Sequence, residues 1–156
     1  MARPLKLITI SLSLAALAAV VSACGTQRIS VPKSSAAAYN GAVLFSQRCA
    51  GCHTISYAGT HGSASNIRDR QPINGPNFDQ RCERPISRVL YAIENGGFAG
   101  AYMPANVVVG QQAREVATFV ARYAGRQAVT QPGQTPCVDQ ALGTLPPSGA
   151  DNLTTP

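Results

Sequence analysis

The sequence predicts a small, mainly α-helical domain, a bundle of three to four helices joined by irregular loops. Three segments carry residues at helical spacing, at 36–48, 84–95 and 110–124. The stretches between them are rich in glycine, proline and asparagine, which favour turns and end helices. The 156 residues are enough for one domain with tails.

Each helix has its own signal. The first, 36–48, is rich in alanine, and Gly41 and Phe45 lie four positions apart on one face. The second has Pro85 in its first turn and an apolar stripe, and it ends at a glycine pair. The third, 110–124, repeats the apolar spacing and stops at a glycine. The two stripes are Ile86, Val89, Leu90 and Ile93, and Val116, Phe119, Val120 and Tyr123.

The segment Cys49-Ala50-Gly51-Cys52-His53 follows the first helix directly and has the C-x-x-C-H spacing of a c-type haem attachment site. The two thiols lie about one helical turn apart, so both can reach one haem edge, while His53 supplies an axial ligand. A redox dithiol would need a βαβ context. Zinc would need a second ligand pair, and Cys82, Cys137 and His61 do not provide one at matching spacing.

Two further residues are candidates for the same site. Met103 is the only methionine besides Met1, and it lies on a glycine-rich loop outside any helical stripe, so it is a candidate sixth iron ligand. The alternative is a methionine that fills the core. The carbonyl of Pro76 is a candidate acceptor for the second ring N–H of His53, although a simple turn explains this proline equally well.

Residues 1–23 have the features of an export leader, with Arg3, Lys6 and a 15-residue apolar run at 7–21. The following Val21-Ser22-Ala23-Cys24-Gly25 looks like a bacterial lipobox, which implies a diacylglycerol on Cys24 and cleavage before it. An ordinary signal peptide or an uncleaved anchor helix are the alternatives. Residues 24–35 are then the lipidated cysteine and a flexible polar linker.

Cys82 and Cys137 are left over once the other cysteines are assigned, and in an exported protein they most simply form a disulfide. Two buried free thiols are the alternative. The main domain is expected at 36–126. Cys137 would pin the start of a proline-, glycine- and threonine-rich tail, 127–156, whose remainder stays loose. The stretch 54–74 is predicted as a long loop along a haem edge, with His61 on the surface.

The chain carries 13 basic and 7 acidic residues, a net charge of +6, and loss of the leader would lower it to +4. No stripe of basic residues with interleaved aromatics is present, so the sequence does not indicate a nucleic-acid partner. A modest positive charge favours an acidic protein partner or an anionic membrane surface. A mixed, solvated surface explains the charge equally well.

Taken together, residues 37–125 resemble a bacterial class I cytochrome c domain, which carries one covalent haem. The resemblance implies a cytochrome c-like bundle in which Gly41 lets the first and last helices cross, with Phe45 and either Phe119 or Tyr123 at the crossing. It also implies a Pro76–His53 hydrogen bond and ligation of the iron by Met103. The long 54–74 loop and a Cys82–Cys137 bridge depart from the minimal family pattern.

An iron bound by both His53 and Met103 has no free position, which favours one-electron transfer over catalysis. The expected function is a membrane-anchored electron carrier on the periplasmic side of the cytoplasmic membrane, in a respiratory or related chain. Its expected partners are a cytochrome bc-type complex, a terminal oxidase or a dehydrogenase. Three alternatives are an electron-transfer subunit of an oxidoreductase, an enzyme or sensor in which Met103 leaves the iron, and a zinc-binding structural lipoprotein.

Overall fold

A computed structural model describes residues 29–64, 66, 68, 70–98 and 102–148. Its main elements are three helices, α1 (Ala36–Arg48), α2 (Ile86–Asn95) and α3 (Gly110–Tyr123), so the mainly α-helical prediction is confirmed. The leader and Cys24 lie outside the described residues. Within those residues, every helix is too short or too polar to cross a bilayer.

Helices α1 and α3 pack directly against each other because Gly41 has no side chain. A β-carbon at Gly41 would lie 2.0 Å from the backbone oxygen of Glu115 and 2.8 Å from the β-carbon of Phe119. The rings of Phe45 and Phe119 then meet edge to face, with centroids 5.6 Å apart. Of the two aromatics expected at the crossing, Phe119 contacts Phe45, whereas Tyr123 lies one turn further on, against Phe119 and Tyr57.

The predicted bounds of the other two helices need small corrections. Helix α2 begins at Ile86 rather than at residue 84, because Pro85 has an extended backbone (ψ 171°) and stands just before the first turn. Helix α3 ends at Tyr123, since Ala124 is already extended (ψ 150°). The predicted apolar stripes of both helices form the core, and all of their members are buried.

The segment expected to be an irregular loop contains a small hairpin. Strands β1 (Thr54–Ile55) and β2 (Thr60–His61) pair antiparallel around a 3-10 helix, Ser56–Ala58. Strands of two residues give no alternation that a sequence pattern can detect. Thr54 also forms a parallel bridge with Asn77, which brings 75–78 beside the hairpin.

Part of the predicted linker is docked on the domain. The backbone N–H of Ser30 donates to the carbonyl of Tyr57 at 2.9 Å, and Val31 is 5% exposed in the core. Residues 29–31, predicted as part of a flexible linker, therefore pack on the domain.

The tail is held on the domain well beyond Cys137. Cys82 and Cys137 form a disulfide with sulfurs 2.05 Å apart. The Arg84 guanidinium donates to the carbonyls of Val138 and Gln140, and the N–H of Ile86 donates to the carbonyl of Leu142 at 2.7 Å. Within the described residues, the tail expected to be loose is thus hydrogen-bonded to the start of α2 as far as residue 142.

Candidate functional site

The Cys49–His53 segment forms a tight turn at the end of α1. The N–H of Cys49 still bonds to the carbonyl of Phe45 (2.8 Å), and the N–H groups of Cys52 and His53 both reach the carbonyl of Cys49, at 3.2 and 3.0 Å. These hydrogen bonds extend the backbone turn beyond the end of α1, into the Cys49–His53 segment. Cys49 and Cys52 therefore flank one turn, and both are free thiols.

The ring of His53 is oriented by a backbone carbonyl. Its Nδ1 lies 3.2 Å from the carbonyl oxygen of Pro76. Because a carbonyl oxygen can only accept, Nδ1 carries the proton and Nε2 keeps a free lone pair for a metal. Burial lowers the pKa of His53, which outweighs the raising effect of this hydrogen bond, and Arg81 lowers the pKa further. Each of the lowering effects favours the neutral imidazole that binds a metal.

Close packing on several sides fixes the same ring. Phe78 stacks on His53 with centroids 4.7 Å apart and an interplanar angle of 8°. Phe45 lies 6.1 Å away at a tilt. The backbone of Gly75 presses on the ring, since a β-carbon there would lie 2.3 Å from Cε1 of His53. The N–H of Gly75 is tied to the carbonyl of Cys52 at 2.7 Å, so the segment cannot move away freely.

Both thiols of the turn are half-buried. Burial, with a smaller contribution from the neighbouring Cys52, raises the pKa of Cys49 to about 11. Two unpaired thiols on one turn are the donors that a thioether-bound cofactor requires.

Met103 lies on the loop after α2, in a separate part of the chain from the His53 cluster. It is half-buried and packs against the core. A β-carbon at Gly97 would lie 3.7 Å from the β-carbon of Met103 and 3.8 Å from its sulfur, so the Met103 side chain faces Gly97 across the width of a methyl group. The loop rejoins the helix where the N–H of Asn106 donates to the carbonyl of Ile93 at 2.9 Å.

Sequence reasoning named Cys49, Cys52, His53 and Pro76, and the structure brings these four residues together. It missed Phe78 and the role of Gly75. The sequence does place both residues within three positions of Pro76, and this was the available signal that they belong to the site. His61, expected on the surface, is exposed on β2.

The donor set fits a covalent haem better than zinc. Within the described ranges, no three His, Cys, Asp or Glu side chains are close enough together to hold a metal ion. Cys82 and Cys137 are already joined to each other, so neither is available as a thiolate. A covalent haem needs only two thiols and one imidazole from this segment, and the turn supplies these.

A small helical bundle with a thioether-forming turn and an oriented histidine defines a c-type haem protein. The comparison with family models agrees, because residues 38–123 match the model described as Cytochrome c. The match covers more than half of the chain, and the protein belongs to the cytochrome c family. Neither the curated proteins nor the solved structures gave a match. The family binds haem c covalently and uses its iron for electron transfer.

Proposed function

We propose that this protein is a membrane-anchored, single-haem electron carrier that works outside the cytoplasmic membrane in a respiratory or related chain. The observation that carries the proposal is the His53 ring, whose Nδ1 bonds to Pro76 and whose Nε2 is thereby left to bind iron. The free thiols of Cys49 and Cys52 on the same turn would hold the haem through thioether bonds.

Met103 would complete the iron coordination opposite His53. A thioether is a soft, weakly basic ligand that favours the ferrous state and raises the reduction potential. Burial acts in the same direction, because the ferric site carries one more charge and loses more hydration free energy. With His53 and Met103 both bound, the iron would have no position for a substrate, which favours one-electron transfer through brief contacts with redox partners.

Replacement of Met103 tests the coordination. In Met103→Ala we expect a large fall in the reduction potential and a ferric iron that binds added imidazole or cyanide readily. Tyr102→Phe is the matched control, because Tyr102 is the neighbouring residue and is 61% exposed. An unchanged potential in Met103→Ala would show that this sulfur does not bind the iron.

The membrane location rests on the lipobox-like sequence around Cys24, which the structure does not cover. Several acyl chains on one residue would anchor the protein firmly. Cys24→Ser should therefore release the protein from membranes into the soluble fraction. Retention of the variant on membranes after a high-salt wash would contradict anchoring through Cys24.

The proposed partners are a cytochrome bc-type complex, a terminal oxidase or a dehydrogenase. The net positive charge of the chain supports an acidic docking surface on that partner, because opposite charges accelerate encounter. If the protein is instead a dedicated subunit of one oxidoreductase, it should co-purify with that complex at a fixed stoichiometry.

A further inference from the structure

An arginine on α2 contacts the loop that carries Met103. The guanidinium carbon of Arg88 lies 3.9 Å from the centroid of the Phe98 ring, a close cation–π distance. The same ring stacks on Tyr91, with centroids 5.7 Å apart and an interplanar angle of 18°. Phe98 is therefore held by two side chains of α2, although it is 51% exposed.

The same guanidinium group of Arg88 also contacts a carboxylate. Its Nε lies 3.6 Å from one carboxylate oxygen of Glu83, and Nε of Arg81 lies 2.6 Å from the other oxygen. Glu83 is 6% exposed and follows Cys82 of the disulfide. The Arg88 guanidinium is therefore held between the Glu83 carboxylate and the Phe98 ring.

Phe98 directly follows the Gly96-Gly97 pair, which lies beside Met103. A β-carbon at Gly96 would lie 2.7 Å from the carbonyl oxygen of Met103, so the two backbones are in close contact. A β-carbon at Gly97 would lie 3.7 Å from the β-carbon of Met103 and 3.8 Å from its sulfur, so the Met103 side chain faces Gly97 across the width of a methyl group. The N–H of Gly97 also donates to the carbonyl of Ala92 at 2.7 Å, which ties the loop to the end of α2. The contacts that hold Phe98 on α2 therefore also restrain the backbone next to Met103.

We propose that Arg88 is a positioning residue for Met103: held by Glu83, it holds Phe98 and so steadies the Gly96-Gly97 backbone that lies beside Met103. This inference rests on the proposed function, since it assumes that Met103 binds the iron. These contacts would keep the Met103 sulfur close to the iron, so that outside ligands displace it less readily.

The test is a spectroscopic titration of the ferric holoprotein with imidazole, which measures how readily Met103 leaves the iron. We expect Arg88→Gln to raise the apparent imidazole affinity about two- to fivefold, the effect of losing one partly exposed cation–π contact. Phe98→Leu should give a similar rise. Arg81 remains beside Glu83 in Arg88→Gln, so the substitution leaves no unpaired buried carboxylate and the fold should persist.

Two comparisons separate positioning from a simple charge effect. Arg122→Gln removes the same charge from an exposed site on α3 and should leave the affinity unchanged. If Arg88 acts through Phe98, the Arg88→Gln, Phe98→Leu double variant should show no more than the effect of one single variant. Multiplying effects, or an equal rise in Arg122→Gln, would overturn the proposal.

Hydrogen exchange provides a readout that does not depend on the iron titration. The amides of Gly97 and Asn106 are bonded to α2 and should exchange several-fold faster in Arg88→Gln than in Arg122→Gln. Equal exchange in the two variants would overturn the proposal. If Met103→Ala raises the imidazole affinity and Arg88→Gln does not, only the positioning role fails; if Met103→Ala has no effect, the ligation itself is wrong and the positioning role falls with it.

Discussion

The Nδ1 atom of His53 lies 3.2 Å from the carbonyl oxygen of Pro76, across 23 positions of sequence. Proline has no backbone N–H, so Pro76 itself offers only an acceptor here. The contact fixes one ring nitrogen as a donor and leaves the other as a ligand. The site therefore depends on how firmly the 75–78 segment is held against the haem-attachment turn.

Gly75→Ala tests this dependence. The added carbon would lie 2.3 Å from Cε1 of His53, and the ring cannot retreat because Phe78 stacks on it. Overpacking of this kind costs typically about 1–3 kcal/mol. We expect a loss of that size in the free energy of unfolding of the holoprotein, measured by guanidinium titration.

Gly51→Ala is the matched control for this prediction. It adds the same methyl group inside the haem-attachment turn, but among the described residues no atom beyond its two chain neighbours lies within 4 Å of the new carbon. Its free energy of unfolding should stay close to that of the wild type. Equal stability of the Gly75→Ala and Gly51→Ala variants would show that Gly75 does not limit the position of the ring.

Gly41→Ala tests the helix crossing. Alanine favours an isolated helix by about 1 kcal/mol over glycine, so a gain in stability would follow if α1 stood alone. Here the new carbon would lie 2.0 Å from the backbone oxygen of Glu115, and backbone atoms cannot turn aside. We expect a net loss of at least about 1 kcal/mol in the free energy of unfolding. Gln47→Ala, at an exposed position of the same helix, should show no such loss, and a stabilised Gly41→Ala would contradict the close crossing.

The Cys82–Cys137 disulfide should contribute measurably to stability. It closes a loop of 55 residues, and removing such a link typically costs about 2–4 kcal/mol, largely by freeing the unfolded chain. The double variant Cys82→Ser, Cys137→Ser should lose stability of that order in guanidinium. Alkylation of the unreduced wild type should leave both residues unlabelled; labelling of either would mean that the link is not formed in solution.

Local patterns predicted the parts of this protein that depend on neighbouring residues. The attachment turn is read from five consecutive positions, and the cores of α2 and α3 from helical periodicity. The acceptor at Pro76 was named because a metal-binding histidine needs an acceptor for its second N–H. Each of these inferences depends on residues that are close together in the sequence or on the bonding needs of a single side chain.

The features that the sequence did not reveal are contacts between distant segments. Phe78 reaches His53 only because Thr54 pairs with Asn77, and Val31 is buried only because Ser30 bonds to Tyr57. Two apolar residues of the tail, Leu142 and Leu145, pack against the core in a stretch whose composition indicates disorder. A few apolar residues in a polar segment do not show which distant surface will cover them.

The most direct test of the account is the mass and absorption spectrum of the mature protein, purified from cells able to attach haem to c-type cytochromes. The account predicts one haem bound covalently to the polypeptide. It also predicts a reduced, six-coordinate spectrum that added carbon monoxide does not change at neutral pH. A colourless protein whose mass includes no haem would contradict it.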